Sequence, residues 1–123
     1  MSFQVRTEKT IHIKHAPHYD KAKKLHHHNW KVEVEIWGPA ETKGNPQVDW
    51  KIIDRIITGY HDRNLTKLMG PRSEIERFTA RLMRDIISFC ALCQSKWSDV
   101  IVRVWQNKRE YVELTRKTRR RFR

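Results

Sequence analysis

Residues 26 to 36 read His-His-His-Asn-Trp-Lys-Val-Glu-Val-Glu-Ile, with apolar and polar side chains alternating from Trp30 onward. Alternation is the mark of a strand, because successive side chains leave a pleated backbone on opposite faces. The same rule sorts the histidine run at its start: His26 and His28 share one face and His27 takes the other. Two imidazoles on one face, two residues apart, are half of a zinc site. A third is available upstream, where His15 follows the strand-like Ile11-His12-Ile13-Lys14. If the two strands pair as a hairpin, His15 comes beside His26 and His28. Three histidines with an open fourth position make a catalytic rather than a structural zinc site. The competing reading of the triplet is a solvated run or an expression scar. Its place at the head of an amphipathic strand, away from either terminus, argues against a tag.

A chain of 123 residues is expected to form one domain with a modest core that assembly would enlarge. No apolar run approaches the ~20 residues a membrane span needs. The N-terminus lacks the apolar core of a signal peptide, so the cytoplasm is the expected compartment. Cys90 and Cys93 are the only thiols. Two cysteines are no disulfide framework, and their C-x-x-C spacing lacks the βαβ setting of a redox motif. The net charge is +12, and half of it comes from Arg116, Lys117, Arg119, Arg120, Arg121 and Arg123. Residues 116–123 therefore read as a basic tail after a domain spanning 1–115. Such a tail suits a polyanion, whether nucleic acid, a polyphosphate substrate or an acidic surface, and its plainer role is a solubilising end.

Periodicity lays out the rest. Phe3 to Lys14 is a predicted strand, Ala16 to Lys24 a loop, and Trp30 to Trp37 a strand stopped by Gly38-Pro39. A polar loop over 40–47 turns at Gly44-Asn45-Pro46. Asp49 suits the N-cap of a helix whose stripe is Ile52, Ile53, Ile56 and Ile57, ending at Gly59. Residues 60–65 read as loop, and Gly70-Pro71 introduces a second helix with a Ser73–Glu76 capping box. Its stripe is Ile75, Phe78, Leu82, Met83, Ile86 and Phe89. Strands over Asp99 to Trp105 and Glu110 to Leu114 flank a turn at Asn107-Lys108. The fold class is therefore α+β, in ββααββ order, with two helices on one face of a four-stranded antiparallel sheet.

These residues resemble the 6-pyruvoyl-tetrahydropterin synthase and 6-carboxy-tetrahydropterin synthase family over roughly residues 5 to 114. The family's L-H-G-H-N-Y is matched by Leu25-His26-His27-His28-Asn29-Trp30, followed by Val32-Glu33-Val34 and Gly38-Pro39. Its V-x-D-F-x-x-L is matched by Val48-Asp49-Trp50 with Ile53, and its D-H-x-x-L-N by the stretch His61 to Thr66. Its N-P-T-S-E is matched by Gly70-Pro71-Arg72-Ser73-Glu74, and its late V-x-E-T by Val104-Trp105-Gln106-Asn107.

The resemblance implies the tunnelling fold and a homo-oligomer, a trimer or a stacked pair of trimers, with sites between subunits. It implies zinc held by His15, His26 and His28, and elimination of triphosphate from dihydroneopterin triphosphate or a related heterocycle. The proton-transfer groups would be His61 and Asp62, with Asp20 a weaker candidate, and Gln106, Ser73 and Glu74 would face substrate. Several positions depart from the family. Ala22 stands where the catalytic cysteine belongs, His61-Asp62 reverses the family's Asp-His order, and Gln106 replaces the pterin-anchoring glutamate. His27 and Arg72 replace a glycine and a threonine. The alternative is thus a non-catalytic tunnelling-fold protein that binds nucleic acid or a protein partner through its basic surface.

Overall fold

The computed structural model describes residues 2–17, 24–39, 49–92 and 97–118. Asp20, Ala22, the turn at Gly44-Asn45-Pro46, Cys93, Arg119, Arg120, Arg121 and Arg123 lie outside them. The elements are β1 (Ser2–His15), β2 (His26–Pro39), α1 (Trp50–Thr58), β3 (Arg63–Asn64), α2 (Leu65–Met69), α3 (Ile75–Leu92), β4 (Asp99–Trp105) and β5 (Tyr111–Lys117). Both alternating segments extend further than their apolar patterns. β2 takes in the histidine run, because every residue from His26 to Pro39 finds an antiparallel partner on β1.

The expectation of a four-stranded antiparallel sheet with two helices is corrected. The sheet has five strands in the order β3-β1-β2-β4-β5, and β3 runs parallel to β1 at Ile13 and Lys14. A two-residue strand has no periodicity to read, so its segment looks like loop. The helix that follows it, α2, has only five residues. The Asn64 carboxamide oxygen caps it by accepting from the Lys67 amide, and Leu65 anchors it in the core. Gly70 ends it at φ +81°, a left-handed conformation that glycine adopts without strain. The second long helix begins at Ile75, so the anticipated capping box is displaced. The Ser73 hydroxyl is instead 3.0 Å from Thr66 Oγ1.

The sheet has one apolar and one polar face. Ile11 and Ile13, then Trp30, Val32, Val34 and Ile36, then Val100, Val102 and Val104 point inward at every second position. Ile53 and Ile57 of α1 and Phe78, Leu82 and Ile86 of α3 cover them. Asp49 caps α1 through the Lys51 amide. Asp54 pins that helix to β1, accepting from the Thr7 hydroxyl and lying 3.8 Å from Lys9 Nζ. On the polar face Arg103 of β4 reaches Glu35 of β2 and Glu113 of β5, each at 2.6 Å. β5 continues through Arg116 and Lys117, so these two members of the expected tail are sheet residues. No helix among the described residues is long and apolar enough to cross a membrane.

Phe78 is the largest fully buried side chain and touches both Trp30 and Tyr60. Phe78→Ala is expected to cost about 3–5 kcal/mol through lost burial and the cavity left behind. Urea denaturation checks this, and a loss under about 1 kcal/mol would mean that the core collapses around the gap.

Candidate metal centre

The β1–β2 register places the histidines. His15 lies directly across from His26, and His28 lies across from Ile13 on the same face as His15. All three imidazoles therefore share the inner face, at the end of the hairpin. The ring centroids of His15 and His28 are 4.8 Å apart, and each is 6.1 Å from that of His26. One ring nitrogen from each can be chosen so that all three lie within 4.8 Å of one another. The His28 ring stacks on Trp30, which also meets His15 edge-on.

The tautomer of His15 follows from its surroundings. Nδ1 is 2.8 Å from the Ser73 carbonyl oxygen, which can only accept, so Nδ1 carries the proton. Nε2 is then a bare lone pair. It is buried and has no hydrogen-bond partner. An unsatisfied buried acceptor costs about 1–3 kcal/mol, a cost that a bound cation at this nitrogen would remove. The contact to Ser73 is also the outer-shell bond that metal-bound imidazoles favour. Burial lowers the His15 pKa, and His26 adds to this, against a smaller opposing effect of the Ser73 carbonyl and Glu74. His28 is lowered by burial, then by its histidine neighbours. Neutral imidazoles are the form that binds metal. On these grounds the residues fit a zinc ion.

His15 and His28, but not His26, form one wall of a pocket of about 200 Å³, with Trp30, Ile75, Gln106 and Asn107 completing its lining. Gln106 and Asn107 come from the β4–β5 turn. Asn107 Oδ1 accepts from the amides of Arg109 and Glu110, each at 2.8 Å, which holds the turn over the pocket. Ser73 and Glu74 stand behind His15 rather than in the lining, and Glu74 pairs with Arg72 at 2.9 Å. His61 and Asp62 are not brought to this pocket within one chain. They meet His12, which in turn contacts His27, on the opposite face of the sheet. Arg116 and Lys117 sit in β5, paired with Val100 and Asp99.

The sequence reading overlooked His12, Trp30 and Asn107. A period of two could have found the first two, since His12 alternates with the core residues Ile11 and Ile13 and Trp30 follows His28 on one face. The sequence marks Asn107 as a turn residue and as the last position of the Val104-Trp105-Gln106-Asn107 match, and gives it no place in a pocket. Its place in the lining depends on how the turn folds over the sheet.

The lowered imidazole pKa values have a thermodynamic consequence. Below about pH 6.5 the unfolded chain takes up protons at His15 and His28 that the folded chain resists. Their share of stability is thus present above about pH 6.5 and is lost as pH falls toward the folded-state values. Metal-free protein is expected to show a falling urea midpoint between about pH 7 and pH 5, with a shallower fall for His15→Asn. Equal slopes for the two proteins would show that His15 is no more reluctant to protonate when folded.

No family model and no curated protein sequence matches the chain. Solved structures do. The 6-pyruvoyl tetrahydropterin synthase of Plasmodium vivax superimposes with a TM-score of 0.71 at 11% identity, over 96% of this chain and 99% of that one. The enzyme of the same name from Caenorhabditis elegans gives 0.68 at 15% identity, over 96% of each chain. An archaeosine synthase QueF-like protein gives 0.51 at 12% identity, over 95% of this chain and 92% of that one. The expectation drawn from the histidine motif and these superpositions meet on one architecture: the chain has the tunnelling fold of the 6-pyruvoyl tetrahydropterin synthase structures.

Proposed function

We propose that the chain is a divergent member of the pterin synthase group, a zinc-dependent carbon–oxygen lyase acting on dihydroneopterin triphosphate or a related heterocycle. The observation that carries this reading is the buried, unpartnered His15 Nε2, grouped with ring nitrogens of His26 and His28 beside a pocket that His15 and His28 line. Zinc held by these three residues would supply Lewis acidity to a substrate oxygen and so acidify the neighbouring C–H bond. The remaining work falls to the chain. The Ser73 carbonyl holds His15 in one tautomer. Trp30 and Ile75 give the pocket apolar walls that limit water.

Gln106 lines the pocket and would meet a ligand there with an amide rather than a carboxylate. Its amide offers one acceptor and two donors, so it suits a ring edge that presents both an acceptor and a donor. A plain two-donor edge would lose about 1–3 kcal/mol here. This favours a relative of the usual pterin substrate over that substrate itself. The pocket lining contains no carboxylate and no thiol among the described residues. Proton transfer is therefore assigned to His61 and Asp62 supplied by a second copy, with Asp20 as the alternative. β5 is a seven-residue edge strand, mostly exposed, and such an edge favours pairing between copies. A trimer or a stacked pair of trimers is the assembly proposed.

Zinc content and triphosphate release together test this reading. About one tightly held zinc per chain is expected, lost in the His26→Ala/His28→Ala double variant along with any turnover of dihydroneopterin triphosphate. Undiminished zinc in that variant would refute the ligand set. Zinc without turnover would leave the pocket standing and require another heterocycle.

The second reading, a non-catalytic binder of nucleic acid, is favoured by Gln106 and by the placement of His61 and Asp62 away from the pocket. It rests on the net charge of +12. Under it, deleting residues 119–123 should weaken binding of single-stranded RNA at low salt and flatten its salt dependence. Unchanged binding would leave the tail as a solubilising end.

A further inference from the structure

Four polar side chains meet on the sheet face opposite the histidine triad. His12 of β1 and His27 of β2 bring Nε2 and Nδ1 to 3.1 Å of one another. On its other side, His12 Nδ1 is 2.8 Å from Asp62 Oδ1. Asp62 is bound to His12 a second time, its amide donating to the His12 carbonyl oxygen at 2.6 Å. It adopts φ +62°, a left-handed conformation that aspartate tolerates better than most residues. His61 closes the group, its Nδ1 accepting from the His12 amide at 3.0 Å.

The proton positions follow from these contacts. The Asp62 carboxylate can only accept, so His12 carries its proton on Nδ1 and leaves Nε2 as a lone pair. That is the arrangement of a metal-bound histidine whose far nitrogen donates to a carboxylate. His15 uses the same device on the inner face, with the Ser73 carbonyl as acceptor. The separation of His12 Nε2 from His27 Nδ1 is also close to the ~3.3 Å between two imidazole nitrogens on one tetrahedral ion with Zn–N distances of about 2.0–2.1 Å. In the metal-free chain the two nitrogens share a proton. A cation would take the proton's place, with a small turn of each ring.

We propose that His12 and His27, with Asp62 orienting His12, form a second divalent-metal site on the outer sheet face. Two imidazoles select a late first-row ion such as zinc, nickel or copper. The remaining positions are open to water or to an oxygen ligand. His12 is about one quarter exposed and Asp62 about two thirds, so an ion reaches the site directly from solvent. The triad site is the tighter of the two, because it has one more imidazole and a buried ligand. The two sites share no residue and stand on opposite faces of the same two strands, so each fills independently.

Equilibrium dialysis of the full chain against zinc, with metal analysis, tests the assignment. His12→Ala is expected to bind one zinc per chain fewer than wild type once zinc is high enough to saturate the wild-type protein. Asp62→Asn is expected to weaken the same site about 10-fold or more. The His26→Ala/His28→Ala double variant should lose a different ion, so failure of the triad and failure of this second site are read separately. Circular dichroism confirms that each variant is folded. Zinc uptake by His12→Ala and Asp62→Asn that matches wild type in number and affinity would overturn the proposal.

Discussion

The antiparallel pairing of β1 with β2 is the interaction on which the rest of the molecule depends. It runs unbroken from Ser2 opposite Pro39 to His15 opposite His26. Because side chains alternate with a period of two, a slip of one residue would turn every inward side chain outward. The core residues Trp30, Val32, Val34 and Ile36 would then face solvent, at about 1.5–3 kcal/mol each. His26 and His28 would move with them. Hydrophobic burial further along the strand is thus what holds the histidines in register.

Register brings the imidazoles together but does not orient them. Orientation comes from the connection between α2 and α3, a distant part of the chain. The Ala16 amide donates to Thr66 Oγ1 at 2.7 Å, Thr66 Oγ1 contacts the Ser73 hydroxyl, and the Ser73 carbonyl accepts from His15. This path ties the end of β1 to the segment that follows Gly70. It also explains why α3 starts late, since Ser73 is used in holding His15 and lies one residue before the helix-flanking Glu74.

The two faces of the hairpin end differ in environment, although both carry histidines. The inner face is buried against Trp30 and Phe78, and desolvation keeps His15 and His28 neutral. The outer face is wet, and its imidazoles are organised by the Asp62 carboxylate rather than by burial. The pocket beside the inner set is finished by the β4–β5 turn, which Asn107 Oδ1 holds by accepting from the Arg109 and Glu110 amides. One short segment therefore both closes β4 onto β5 and presents an amide to whatever the pocket holds.

Alternation in residues 26 to 36 was enough to read β2, to sort its histidines between faces and to bring His15 to their side. Helical spacing was enough for α1 and for the buried stripe of α3. These features are local, and each rests on a repeat of two or 3.6 residues. β3 and α2 escaped because neither is long enough to repeat its period twice. The position of His61 and Asp62 beside His12, the Ser73 carbonyl behind His15 and the amide of Gln106 at the pocket were beyond reach for another reason. Each joins residues far apart in the chain, and no single segment carries a record of the partner that folding brings to it. Local pattern thus picked out the three histidines and their face, while long-range packing alone selected their tautomers, their neighbours and the shape of the space beside them.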